Sequence, residues 1–345
     1  MPEDSIAHID FEALKQKAIS APVVEHIYTA DPSAHVFNGK IYIYPSHDID
    51  AGDAFDDLGS HFAMEDYHVL SMDAPDGKAT DHGVALHVKD VPWADKQMWA
   101  PDANEKDGQY YLFFPAKDKQ GIFRIGVAVS GSPYGPFKPQ ANAIANSFSI
   151  DPAVFKDDDG SYYMYFGGIW GGQLQRWRQG IFEASQPESP FAHLPLDNEA
   201  ALCAKVAKLT NDLLEFEEAP KDVVIIDEQG SALLQGDNNR RFFEASWMHK
   251  YNGKYYFSYS TGDTHFICYA VGDNPYGPFT YKGVVLNPVV GWTSHHSIAE
   301  YNGEWYLFYH DSSLSKGVTH LRSVKVAKLT HNADGTIQTL NPYGL

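Results

Sequence analysis

One pattern of apolar and polar residues occurs five times along the chain: an apolar segment, a turn containing glycine, and a run of aromatic residues. The copies are HVFNGKIYIY, EKDGQYYLFF, VFKDDDGSYYMYF, MHKYNGKYYFSY and AEYNGEWYLFY. Asn-Gly or Asp-Gly between alternating apolar positions is typical of a tight hairpin turn, because its central residues need positive φ. Each copy therefore predicts a β-hairpin, with turn glycines Gly39, Gly108, Gly160, Gly253 and Gly303.

A second repeat follows two of these hairpins. IGVAVSGSPYGPF ends at Phe137 and ICYAVGDNPYGPF ends at Phe279. Two hairpins plus this tail make a unit of roughly four strands, and a ring of such units limits exposed sheet edges. We therefore predict an all-β fold, a five-bladed β-propeller formed by residues 24–345 as one domain, after an N-terminal extension of residues 1–23. An irregular β-sandwich is the alternative.

The interval between the third and fourth turn glycines is the longest, which indicates an insertion in the third blade at roughly residues 172–240. Within it, NEAALCAKVAKLTNDLLEFEEA has apolar residues at helical spacing. We expect a partly helical insertion that shapes the rim of a pocket or a contact between copies of the chain, so a homo-oligomer remains open.

Composition narrows the choice of partners. The formal net charge of -19 would repel nucleic acid and anionic membrane surfaces. No basic region followed by an apolar run opens the chain, and Cys203 and Cys268 lie far apart without metal-ligand spacing. We therefore expect a cytoplasmic protein with two reduced thiols and no nucleic-acid or membrane partner.

The hairpin repeat also defines a register. Eight or nine residues before the turn glycines lie Asp31, Trp99, Asp151, Glu244 and His295, one in each unit. Equivalent positions in propeller blades converge on one axial pocket. Taken singly, each Asp-Pro could be a turn starter, the glutamate a surface residue, and the indole and imidazole core residues. The shared register favours a functional site, and the prolines predict an extended backbone at each Asp.

Three carboxylates around an aromatic pocket, without a nucleophile motif or a phosphate loop, indicate glycoside hydrolysis. One acid protonates the leaving oxygen while a carboxylate activates water or attacks the anomeric carbon. A third carboxylate can orient the acid and raise its pKa by like-charge proximity.

These residues lie in short motifs that together resemble glycoside hydrolase family 43, from about residue 24 to 345. The motifs are TADPSAHVF with Asp31, WAPD with Trp99 to Asp102, SIDPAVF with Asp151 and FFEASWM with Glu244. The resemblance implies inversion of configuration. It implies that Asp31 is the general base, Asp151 orients the acid and modulates its pKa, and Glu244 is the general acid.

The resemblance also extends to the fifth blade. His295 in TSHHSIAEY matches a histidine that binds substrate or, in some members, one divalent cation such as Ca²⁺ through mostly water ligands. The neighbouring His296 makes this match ambiguous by one residue, and a core histidine is the alternative. Arg322 in LRSVKVAKL matches an arginine near the sugar, with a structural ion pair as the alternative. Trp99, His295 and Arg322 are thus the candidate substrate-binding residues.

Members of this family act chiefly on β-D-xylosides and α-L-arabinofuranosides. We expect a β-xylosidase that removes xylose from the non-reducing end of β-1,4-xylo-oligosaccharides. An α-L-arabinofuranosidase acting on arabinoxylan or arabinan oligosaccharides is the alternative. A non-catalytic sugar-binding propeller is a third possibility, but binding alone does not need three carboxylates at one axis. A retaining fructan-cleaving propeller would carry Arg before the central Asp-Pro, where this chain has Ile150.

Overall fold

The computed structural model describes residues 6–344, and its sheets are arranged as a five-bladed β-propeller, which confirms the predicted fold class. The α-helix α1 (Phe11–Lys17) precedes the sheets and begins after Asp10, whose carboxylate accepts hydrogen bonds from the first turn. Residues 1–5 of the predicted N-terminal extension lie outside the described residues. No helix among residues 6–344 is long and apolar enough to cross a bilayer.

Five sheets follow in chain order. The first blade contains β1 (Tyr28–Phe37), β2 (Lys40–Asp48), β3 (Asp66–Met72) and β4 (Thr80–His87). The second contains β5 (Ala94–Lys96), β6 (Asp102–Lys106), β7 (Gln109–Asp118), β8 (Phe123–Ser130) and β9 (Lys138–Pro139). The third contains β10 (Ala153–Lys156), β11 (Tyr162–Phe166), β12 (Ala204–Lys208) and β13 (Lys221–Val223). The fourth contains β14 (Ile225–Ile226), β15 (Glu244–Tyr251), β16 (Lys254–Ser260), β17 (Ile267–Gly272) and β18 (Phe279–Leu286). The fifth contains β19 (His296–Tyr301), β20 (Glu304–Asp311) and β21 (Ser323–Leu329).

The inner strands of neighbouring blades contact one another around the axis, in the order β1, β6, β10, β15, β19 and back to β1. The N-terminal segment joins the last blade to the first. The Val23 N–H donates to the carbonyl of Val324, and the Thr29 N–H donates to the carbonyl of Arg322. The ring is therefore closed by backbone hydrogen bonds between the two ends of the sequence.

The predicted hairpins are present in all five blades. Four of the turns have positive φ at both central residues, as in Asn38 (+51°) and Gly39 (+76°). The third hairpin has a longer turn that ends at Gly160, where φ is +83°. The local turn chemistry thus sets where each inner strand ends and its neighbour begins.

Aromatic residues of the repeats pack between the blades. Tyr44, Tyr67 and Phe114 are buried in a cluster that the first and second blades share. Phe113 and Phe166 belong to a cluster between the second and third blades. Each fully buried side chain of this size stabilises the fold by about 1.5–3 kcal/mol, so the aromatic runs fix the blades against one another.

The helix predicted in the third-blade insertion is not present. Residues 204–208 form β12, which pairs with β11, and the flanking residues of the stretch 198–219 form turns. Ala204 and Val206 are buried while Lys205 and Lys208 are partly exposed, a pattern that suits an outer strand. The helical structure near the insertion is limited to two short 3₁₀ helices, Trp170–Gly172 at its start and Leu174–Trp177, and the rest consists of β12, β13, β14 and irregular segments.

Candidate active site

A pocket lies at the end of the axis where the inner strands begin. The residues that share the hairpin register all line it, together with the predicted arginine of the last blade: Asp31, Trp99, Asp151, Glu244, His295 and Arg322. The structure thus brings together every candidate site residue that the sequence indicated.

Irregular backbone directs the carboxylates into this pocket. The β1–β2 pairing shifts register between Ala30 and Ser33, and the β15–β16 pairing shifts between Glu244 and Trp247. The extended backbone predicted before the prolines is wrong, because φ is +50° at Asp31 and +58° at Asp151. Such φ values cost about 1–3 kcal/mol each in an L-residue and need tertiary contacts to hold them.

The contacts of Asp31 hold both its backbone and its carboxylate. Its N–H donates to Nδ1 of His310 at 2.9 Å. Its Oδ2 accepts from the Ser46 hydroxyl at 2.6 Å, and its Oδ1 accepts from Nη1 of Arg322 at 3.1 Å. The side chain is nearly buried, with one edge at the pocket wall. The carboxylate is therefore held in one orientation.

Arg322 is itself fixed by a second carboxylate. Its Nε and Nη2 donate to the two oxygens of Asp48 at 2.8 and 2.7 Å. Its Nη1 reaches both Asp31 and the Thr293 hydroxyl. A bidentate pair of this kind fixes the guanidinium plane, so Arg322 presents a permanent positive charge to Asp31.

The protonation state of His310 follows from its contacts. Since Nδ1 accepts a backbone hydrogen bond from Asp31, it carries no proton, and Nε2 is the nitrogen that donates to the Thr293 carbonyl at 3.1 Å. Burial and the nearby Arg322 charge lower the pKa of His310 to about 3. His310 is thus a neutral residue that positions Asp31.

Asp31 remains ionised despite its burial. Burial alone would raise its pKa, but the charge of Arg322, together with the adjacent His295 and His310 rings and the Ser46 hydrogen bond, outweighs it. The net effect lowers the pKa of Asp31 to about 2. A carboxylate with this pKa is available as a base at neutral pH.

The pKa values of Glu244 and Asp151 are raised, whereas the pKa of Asp31 is lowered. Burial and the charge of Asp31 raise the pKa of Glu244 to about 8. Burial and the charges of Glu244 and Asp31 raise the pKa of Asp151 well above its ordinary value. The pair therefore retains a proton near neutral pH. Asp151 Oδ2 accepts from the Ala245 N–H at 2.9 Å, a contact that favours the Asp151 anion but does not outweigh burial and the neighbouring carboxylates.

Aromatic side chains form much of the remaining wall. Trp99 is held by a hydrogen bond from Nε1 to the Phe62 carbonyl at 2.8 Å and packs against Phe123. Phe62, Trp170, Phe243 and Trp292 also line the pocket. An apolar wall with a few oriented polar groups is typical of a site that binds a sugar ring.

The structure separates the two adjacent histidines. His295 lines the pocket, with Nδ1 lying 3.4 Å from Oδ1 of Asp31. His296 is fully buried and its Nε2 contacts the Ser258 hydroxyl at 2.6 Å. His295 is therefore the member of the pair that can reach a bound ligand.

A directly coordinated Ca²⁺ does not fit the side chains around His295. Calcium takes six to eight oxygen ligands. The one carboxylate within 4 Å of the His295 ring nitrogens in the described chain is Asp31, which Arg322 already pairs. His295 thus lacks a set of protein ligands to share with a cation.

Sequence reasoning missed four residues that hold this site: Ser46, Asp48, Thr293 and His310. Asp48 and His310 lie near the ends of the second strands of the first and fifth hairpins, where aromatic runs give way to polar residues. That change from aromatic to charged or polar residues was the sequence signal that could have indicated Asp48 and His310. Thr293 lies in the loop before β19, where the sequence gives no comparable signal.

An axial pocket with one ionised and one protonated carboxylate on a propeller defines a glycoside hydrolase type of site. A family model for glycosyl hydrolases family 43 matches residues 19–337. The chain belongs to glycosyl hydrolases family 43.

Several known proteins are similar to this chain along nearly their whole length. A xylosidase/arabinosidase of Bacteroides ovatus is 60% identical over 91% of this chain and 95% of its own. A beta-xylosidase of Xylanibacter ruminicola is 58% identical over 91% and 97% of the two chains. A solved family 43 beta-xylosidase/alpha-arabinofuranosidase from a compost microbial metagenome, in complex with xylotriose and calcium-free, is 66% identical with a TM-score of 0.91 and covers 94% and 98% of the two chains.

Proposed function

We propose that this protein is an inverting exo-acting β-xylosidase that hydrolyses β-1,4-xylo-oligosaccharides from the non-reducing end. The observation that carries the proposal is that one pocket lowers the pKa of Asp31 and raises the pKa of Glu244, as a base and an acid require. Close relatives named as xylosidases support the substrate, as does the xylotriose bound in the similar compost enzyme.

In the proposed mechanism the two residues act on opposite sides of the scissile bond. Asp31 takes a proton from a water molecule as that water attacks the anomeric carbon. Glu244 gives its proton to the glycosidic oxygen as the bond breaks, and both groups return to their starting states by exchange with solvent. Asp151 touches neither reacting atom in this scheme. It accepts a hydrogen bond from the backbone beside Glu244, and repulsion between the two carboxyl groups keeps one proton on the pair.

Exo action is supported by the wall that closes one side of the pocket. Residues 49–65, which we call the pocket loop, connect β2 to β3 and supply Asp57, Leu58, Gly59 and Phe62 to the lining. Gly171 from the third blade packs so closely that a Cβ there would lie 2.5 Å from the Leu58 carbonyl oxygen. Two loops in such contact leave a pit for a chain end, not a groove open at both sides.

Hydrolysis of matched substrates followed by NMR tests the proposal. Xylotriose should release free xylose with the α-anomer formed first. A first-formed β-anomer would contradict the mechanism, and release of internal fragments from longer oligosaccharides would contradict exo action. An aryl α-L-arabinofuranoside measures the second candidate activity, which the double name of the Bacteroides ovatus relative favours. If neither pentoside were cleaved, a non-catalytic sugar-binding propeller would be the better interpretation.

The value of kcat/KM should depend on pH through the protonation of Glu244. Activity should be lost as pH rises through about 8, because Glu244 must be protonated to act as the acid. No acid limb should occur near the ordinary Asp value of 3.8, because the pKa of Asp31 is lowered to about 2. With an aryl xyloside that needs little acid assistance, the basic limb should disappear in Glu244→Gln. A basic limb that persists unchanged in that variant belongs to another group.

Chelation tests the cation that the family resemblance implied at His295. We propose that Ca²⁺ there would take most of its ligands from water, since Asp31 is already paired with Arg322. Activity lost after exhaustive chelation and restored by Ca²⁺ in the wild type, but not in His295→Gln, supports this site. Unchanged activity and melting temperature after chelation remove His295 as a metal ligand.

A further inference from the structure

A second group of potential ligands lies on the first blade, away from the walls of the pocket. His47, Asp66 and His68 each offer one ligating atom, and the three atoms lie within 4.8 Å of one another. None of these residues belongs to the pocket lining. Their side chains are 17%, 16% and 12% exposed, so the group is sheltered but open to solvent.

The positions of the three residues follow from strand geometry. His47 lies on β2, while Asp66 and His68 lie two positions apart on β3 and so share one face of the sheet. The rings of His47 and His68 have centroids 4.4 Å apart. The neighbours of His47 on β2, Ser46 and Asp48, face the other way and contact Asp31 and Arg322. The sheet therefore separates this group from the pocket by a single strand.

The hydrogen bonds around the group resemble those that orient ligands in metal sites. Nδ1 of His68 contacts Oδ1 of Asp81 at 2.8 Å, and the same carboxylate accepts from the Gly83 N–H. Histidine ligands are commonly fixed in this way, with the second nitrogen turned to the ion. Nε2 of His68 is the nitrogen left for a ligand. Nδ1 of His47 and Oδ1 of Asp66 share a hydrogen bond of 2.5 Å, so a metal ion would have to displace the proton between them.

We propose that His47, Asp66 and His68 form a binding site for a divalent transition metal of the Zn²⁺ type, with Asp81 as the group that orients His68. Two imidazoles and one carboxylate are a donor set that suits zinc and that calcium does not prefer. Water completes the tetrahedron. Binding releases the proton shared by His47 and Asp66, and these two atoms separate to the spacing of metal ligands.

The position of this metal site implies that the bound ion restrains the pocket loop. His47 lies at the end of β2 and Asp66 is the first residue of β3, so the ion links the two ends of the pocket loop. That loop carries Phe55, which is 52% exposed, as well as the residues that contact Gly171. The metal therefore restrains the loop that closes the substrate pit without touching substrate.

Metal binding to the full-length, tag-free protein tests the site independently of hydrolysis. After chelation and removal of the chelator, Zn²⁺ is titrated by calorimetry, and Co²⁺ is followed by its visible absorption. The wild type should bind one equivalent more than His47→Gln or His68→Gln. Asp81→Asn should retain that equivalent with affinity lowered about 10–100-fold. His82→Gln is the matched control, because His82 lies on the same sheet and contacts Ser71 instead of the group.

The restraint on the loop has its own readout. Chymotrypsin cleavage after Phe55 should slow on addition of Zn²⁺ in the wild type and in His82→Gln, but not in His68→Gln. Near-ultraviolet circular dichroism of the metal-free variants checks that each one is folded, and His47→Gln replaces His68→Gln if the latter is not folded. Equal stoichiometry and affinity in the wild type and in both ligand variants would overturn the proposal, as would a wild type that binds no Zn²⁺. Because no step measures hydrolysis, failure here leaves the proposed xylosidase activity untouched.

Discussion

Asp31→Asn should lower kcat by about 10³–10⁴-fold on every substrate, including aryl xylosides with good leaving groups. General base catalysis contributes an effect of about this size, and the attacking water must lose its proton whatever group departs. Asparagine keeps the shape of the side chain; its amide oxygen can still accept from Arg322 and its NH2 group can donate to the Ser46 hydroxyl, so the pocket should survive. Steady-state rates on xylobiose and on an activated aryl xyloside measure the effect.

The control for this variant is Asp53→Asn, which removes the same charge from an exposed position on the pocket loop and should leave kcat within about twofold, as for most surface changes. Binding of xylose to the Asp31 variant shows whether the pocket is intact. A loss confined to substrates with poor leaving groups would make Asp31 the acid instead of the base. A loss below about tenfold would remove it from the chemistry.

The propeller could be predicted because its signal is local and repeated. A turn such as Asn38-Gly39 requires positive φ at both residues, so the same dipeptide chemistry must recur wherever the same hairpin recurs. Once five hairpins are in register, the position ahead of each is fixed relative to the axis. Asp31, Asp151 and Glu244 therefore converge on one pocket although they are far apart in sequence.

The insertion could not be predicted from spacing alone. The stretch around Val206 alternates with Ala and Lys, and a short pattern of that kind fits both a helix and a strand. Pairing with β11 decides in favour of the strand, and that pairing is a tertiary contact. The backbone at Asp31 is a similar case, because the His310 contact holds a φ that the following proline disfavours.

The residues that set the charge of Asp31 fall outside the repeat for a related reason. Asp48 and His310 lie near the ends of second strands, and the second strands of the third and fourth hairpins, β11 and β16, carry neither Asp nor His there. The hairpin register identifies positions that carry related residue types in several blades. It does not identify a single contact such as the Asp48–Arg322 ion pair, which forms because the first and last blades are adjacent in the ring.

Glu244→Gln should separate substrates by their leaving groups. On xylobiose, whose sugar leaving group needs a proton, kcat should fall by about 10²–10⁴-fold. On an aryl xyloside with a strongly acidic phenol the loss should be much smaller, because the departing phenolate needs little acid assistance. The measurement is a series of aryl xylosides of decreasing phenol pKa, in which the variant should show a steeper dependence of rate on that pKa than the wild type.

The matched comparison for this series is Asp151→Asn, which changes the partner of the Ala245 N–H without removing the acid. Loss of that charge should lower the pKa of Glu244 and so move the basic limb of the pH profile to lower pH. Glu244→Gln should instead abolish that limb on activated substrates. Equal losses for Glu244→Gln across the whole aryl series would show that the residue supports the pocket and does not deliver the proton. The loss of rate on removing an acid depends on the pKa of the leaving group only if that acid protonates the leaving oxygen.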